Sequence, residues 1–126
     1  MRIAQAKLKL DLFDKRYRLY ELLRVFLSDG MEPDDEKRLV ELRSNFSQCV
    51  PQAYFLFGKE IGAYFNDVCE AAEKHRLRTF ELRNLKDPAA RQRISEPHRE
   101  LSEWLQEQRS GLVERFGPYL DFENWR

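Results

Sequence analysis

The chain has 126 residues, 35% of them charged, with 22 basic and 22 acidic side chains and no net charge. Nine Phe, five Tyr and two Trp are enough to build a real core, so global disorder is excluded, and the length suits one domain, 1–126. A neutral total removes any strong pull of the whole molecule towards nucleic acid or anionic lipid.

Residues 2–28 read as one long helix. Leu8, Leu12, Leu19, Leu23 and Phe26 recur at helical spacing, with Phe13, Tyr20 and Leu27 as a second row. No Gly or Pro interrupts them. Ser28-Asp29-Gly30 supplies a stop, Gly30 being suited to a left-handed residue after the last turn. A second, shorter helix is expected over 33–47, opened by Pro33 and its acids, with Leu39, Leu42 and Phe46 as its stripe.

Pro51 disfavours helix at Val50, so residues 48–57 are expected to form a turn or short helix, with a strand as the alternative. The third helix is expected over 58–85, with Ile61, Phe65, Val68, Ala72, Thr79 and Leu82 on one face. Residues 86–94 read as a connection. Ser95 looks like the N-cap of a fourth helix over 95–116, which turns Leu101, Trp104, Leu105, Leu112 and Phe116 inward and stops at Gly117-Pro118. The expected fold is all-α: an antiparallel bundle of three long helices and one shorter one, with the first helix against the third and fourth. The tail, 119–126, is too aromatic for a solvated end.

Two cysteines, Cys49 and Cys69, make neither a disulfide framework nor a zinc pattern and fit a reducing cytoplasm. Cys69 and His75 lie six residues apart, about 120° round a helix, which is poor geometry for a nucleophile and base. His75 therefore reads as a structural, hydrogen-bonded residue. His98 has Glu96 and Glu100 nearby, but no Glu-x-x-His or His-Glu-x-x-His pattern occurs, so no metal ligands are assigned. No Gly-rich phosphate loop is present either. No catalytic residue and no cofactor is predicted.

Charge is distributed in blocks. Residues 29–73 hold four basic against ten acidic side chains, and residues 74–93 hold seven against two. Within the basic block, Arg76, Arg78, Arg83, Arg91 and Arg93 are candidate anion ligands. Nucleic acid is the weaker partner, since neither a helix-turn-helix turn nor a stacking platform is evident. Protein–protein interaction is the preferred function, as a sensing, scaffold or regulatory module. Tyr119, Phe122 and Trp125 of the aromatic tail are the candidate docking residues, and the partner and oligomeric state are left open.

The first helix starts at once, without a capping residue. Lys7, Lys9, Lys15, Arg16 and Arg18 could then flank a preceding membrane segment on its cytoplasmic side, although a free, frayed helix end is physically simpler. The run Lys7-Leu8-Lys9-Leu10-Asp11-Leu12-Phe13-Asp14-Lys15-Arg16, with Phe55-Leu56-Phe57 and Phe116-Gly117-Pro118-Tyr119-Leu120-Asp121-Phe122, resembles a group of small bacterial proteins without an established activity. In that group one or two transmembrane segments often precede the Leu-Asp-Leu-Phe-x-Lys-Arg helix. The resemblance implies a cytoplasmic helical domain tethered at the inner face of the membrane. The sequence departs from the group by holding no such segment.

Overall fold

Four helices account for nearly all of the residues described by the computed structural model, which are 2–29 and 36–120, with side-chain surroundings described for 5–28 and 40–120. They are α1 (Arg2–Asp29), α2 (Glu36–Phe57), α3 (Lys59–Asn84) and α4 (Pro88–Leu120). Among the described residues there is no strand. The all-α reading therefore stands, while the shorter helix and several boundaries need correction.

The second helix does not stop near Ser47; it continues through Pro51 to Phe57. A proline inside a helix removes one donor and leaves the carbonyl four residues back, here that of Ser47, without its bond. Ser47 and Pro51 both lie on the exposed side, where water can take that carbonyl. Ala53 and Phe57, on the other side, are buried and repay the continuation. The break then takes a single residue. Gly58 adopts φ 98°, a conformation that L side chains rarely accept, and its N–H still donates to the Tyr54 carbonyl at 3.0 Å.

The fourth helix begins at Pro88, seven residues before Ser95. Pro88 occupies the first turn, where its missing N–H costs nothing, and Asp87 Oδ1 accepts from the Ala89 N–H at 3.4 Å. Pro97 and Pro118 lie inside α4. The carbonyls they orphan belong to Arg93 and Glu114, both exposed. Gly117-Pro118 thus fails to stop the helix, which runs on to Leu120.

Buried side chains form one cluster contributed by all four helices. Its centre is aromatic. Phe26 stacks on Phe46 with ring centroids 4.4 Å apart, and Phe46 stacks on Phe65 at 5.4 Å. Phe116 closes the set edge-on against Phe65 and Phe57. Extensive contacts join α1 to α2 and α4, and α3 to α2 and α4, so the first helix lies chiefly against the second and fourth. Gly62 permits the close approach of α2 and α3: a Cβ there would stand 2.3 Å from the Tyr54 ring and 2.8 Å from the Tyr54 Cα.

α1 outruns its neighbours. Arg16, midway along it, already meets Leu56 near the end of α2 and Tyr119 near the end of α4. Leu8 therefore continues the apolar stripe of α1 but is 68% exposed. α1 also carries charge throughout its length, and among the described residues no helix is long and apolar enough to cross a membrane. The transmembrane segment implied by the resemblance is thus not supported.

Candidate functional site

The packed core stops well short of the tip shared by α3 and α4. Beyond Ala72 on α3, and before Leu105 on α4, no side chain is fully buried. From the core out to this tip, contacts move down α4 as they move up α3. Tyr64 Oη donates to Gln108 Oε1 at 3.0 Å, His75 Nε2 meets Ser102 Oγ at 2.9 Å, and His98 Nε2 meets Thr79 Oγ1 at 2.8 Å. The two imidazoles stack with centroids 4.5 Å apart and planes 26° from parallel. Burial holds both below the ordinary histidine value; the His98 charge adds to this at His75, and the Arg78 charge at His98.

Further out, the tip carries an open groove of about 530 Å³ between α3 and α4. Phe80, Leu85, Ala90 and Ile94 supply its apolar lining, and Glu81, Asn84 and Arg93 its polar part. Phe80 is 64% exposed, and Leu77, one turn earlier, is 46% exposed. The sequence marked neither as functional. Leu77 lies opposite the buried face of α3 and Phe80 about 120° round from its centre, so both belong to the outer side of the helix.

The five arginines of the basic block divide by role. Arg76 is engaged by Glu73, which also holds Arg43 of α2. Hydrogen bonding to Arg76 is the main reason the Glu73 carboxyl sits below its ordinary range, with Arg43 assisting. Arg91 donates to the carbonyls of Leu82 and Leu85 (2.8 Å to the latter) and so caps the end of α3. Arg78 is half-buried near His98. Arg83 and Arg93 are exposed, and neither has an ion-pair partner among the described residues.

The tail residues separate as well. Tyr119 is half-buried, its ring edge-on to Phe57 with centroids 5.6 Å apart. Phe122 and Trp125 lie outside the described residues. Arg16, read from sequence as one of a flanking basic run, is a partly buried brace instead. Its Nε donates to the Leu56 carbonyl at 2.8 Å, its Nη1 reaches the Tyr119 carbonyl at 3.5 Å, and its guanidinium lies over the Phe57 ring. Orphan carbonyls at the ends of two helices thus share one cation.

Both cysteines are free and partly buried, and burial raises the Cys49 thiol above its usual value, the opposite of an activated nucleophile. Among the described residues no group of three or more His, Cys, Asp or Glu side chains could hold a metal ion. Compared with models of known families, with curated proteins and with solved structures, the chain has no match. The resemblance to membrane-anchored bacterial proteins is accordingly withdrawn.

Proposed function

We propose that this chain is a non-enzymatic protein–protein interaction module whose docking surface is the groove at the α3–α4 tip. Its four helices act as one antiparallel domain that holds this hairpin in place, and two free thiols suit a cytoplasmic setting. The carrying observation is Phe80, a large aromatic side chain 64% exposed beside a concave apolar surface. Apolar surface left contiguous in this way marks interaction sites more often than scattered exposed residues do.

The partner we favour is an acidic segment with one large apolar anchor. The anchor would sit against Phe80, Leu85 and Ile94, and the acids would face Arg93 and Arg83. The seven-to-two excess of basic residues over 74–93 steers such a segment and rejects basic ones. An amphipathic helix or a short extended peptide can satisfy this surface.

Selection of peptides displayed at random against the purified protein tests the reading. Recovered binders should carry Asp or Glu around a Leu, Phe or Trp, and Phe80→Ala should weaken them about tenfold, the cost of losing part of one buried aromatic contact. Binders whose affinity ignores both Phe80→Ala and Arg93→Glu would overturn it.

A second reading, recognition of a phosphate-bearing polyanion, is favoured by the exposed cations Arg83 and Arg93. It predicts affinity that falls steeply with salt and is insensitive to Phe80→Ala.

A further inference from the structure

The His75–His98 layer is the polar cross-link between the last core residues and the Arg91 cap at the tip, in a part of the hairpin that lacks a fully buried side chain. Its protons can be placed by counting. Thr79 Oγ1 donates to the His75 carbonyl at 2.8 Å, and Ser102 Oγ donates to the His98 carbonyl at 3.0 Å. A hydroxyl has one proton to give, so each is left to accept from the imidazole it faces. The Nε2 of His75 and that of His98 must therefore both carry hydrogen, and in the neutral rings Nδ1 is bare.

This arrangement is reciprocal. Each hydroxyl ties its own helix backbone to the ring of the opposite helix. Neutral rings satisfy it fully and stack as flat, uncharged surfaces. Adding a proton at Nδ1 breaks none of these bonds, but it places charge in a half-buried stack. A second proton puts two cations face to face at 4.5 Å, where like charges disfavour joint ionisation. Nothing nearby relieves this. Arg78 of α3 faces His98 with the same sign. From α2, Arg43 comes with its partner Glu73, which is already shared with Arg76. On α4, Glu96 is held by Arg99. Among the described residues no carboxylate pairs with either ring.

We propose that the His75–His98 stack is an acid-released latch, closed when both rings are neutral and opened when both are protonated, which controls whether the outer half of the α3–α4 hairpin stays paired. The opened state leaves the aromatic core intact, because the core ends at Ala72 and Leu105. The latch needs no partner and stands whether or not the groove binds a peptide.

The sign follows from the suppressed protonation of the folded form. Free histidine takes up a proton near pH 6.5. The unfolded or opened chain therefore binds more protons below that pH, and stability of the hairpin is full above it and declines as pH falls.

Amide hydrogen exchange of the whole chain at pH 7.5 and pH 5.0, corrected for intrinsic rates, reads the opening directly. Protection over 76–84 and 88–98 should fall about tenfold or more, because the opened state takes up protons that the stacked rings resist, while 61–72 and 105–116 keep theirs. In the double variant His75→Gln with His98→Gln the hairpin should lose this pH response. Unchanged protection at pH 5.0, or the same loss in the double variant, overturns the proposal. If the double variant does not fold, His98→Gln alone decides through the imidazole proton resonances. The His75 midpoint should rise once its charged neighbour is gone, and an unmoved midpoint overturns the coupling.

Discussion

Replacing Gly62 by alanine should destabilise the protein although it improves the helix. A Cβ at this position would lie 2.3 and 2.4 Å from two atoms of the Tyr54 ring and 2.8 Å from the Tyr54 Cα. A rotamer change could move the ring, but only a separation of α2 from α3 moves the Cα. Overpacking of this kind costs about 1–3 kcal/mol and sometimes more, and a contact that includes backbone belongs at the upper end. Alanine returns about 1 kcal/mol of helix propensity. The net loss expected is therefore about 2 kcal/mol. Gly111, inside α4, supplies the control, because nothing lies within 4 Å of a Cβ built there. Gly111→Ala keeps the propensity gain without the clash and should stabilise by about 0.5–1 kcal/mol. Urea unfolding of both variants and the parent, followed by far-ultraviolet circular dichroism, measures the difference. Equal shifts of the same sign for the two variants would refute the claim that Gly62 sets the α2–α3 spacing.

Other expectations follow from the packing and the site. Phe46 is fully buried between Phe26 and Phe65, so Phe46→Ala should cost about 3–5 kcal/mol in the same assay, and a loss under 1 kcal/mol would contradict the aromatic stack. Arg16→Gln removes a charged donor shared by the ends of α2 and α4 and should cost about 2 kcal/mol; a neutral result would place Arg16 at the surface, as a solvated charge. Removal of 121–126 separates the tail from the tip groove as docking elements, since peptides recovered on the groove should bind the shortened chain with unchanged affinity.

The elements with uninterrupted periodicity were the ones legible from sequence. α1 and α3 have their expected extents within a residue or two, because neither contains a proline and the single glycine of α3, Gly62, falls on its buried face. Leu8 was misplaced for a different reason: periodicity reports which face is apolar, and cannot report where the neighbouring helices end. The prolines were misread. Pro51, Pro97 and Pro118 each carry a local penalty, but each orphaned carbonyl lies on the exposed face, and burial of Ala53, Phe57, Leu105 and Phe116 outweighs it. Asp87-Pro88 is itself a start signal for α4, and Ser95, seven residues on, competes with it as an N-cap.

The site was less legible. His75 and His98 were both visible as candidates, yet their stacking depends on the register of the hairpin, which the break at 85–87 sets. Arg91 looked like one cation of a binding run until its position, six residues beyond Leu85, placed it over the last carbonyls of α3. Phe80 and Leu77 fall off the inward stripe of α3, so their exposure is legible from helical spacing, but two apolar residues on an outer face do not by themselves mark a docking groove.

The most direct test of the central claim is nuclear magnetic resonance mapping of the chain with a selected acidic peptide at pH 7.5. The account predicts saturable shifts that cluster at Leu77, Phe80, Leu85, Ile94 and Arg93 and that need about tenfold more peptide in Phe80→Ala. Shifts centred instead on Tyr119 and the end of α4, or persisting unchanged in that variant, would contradict it.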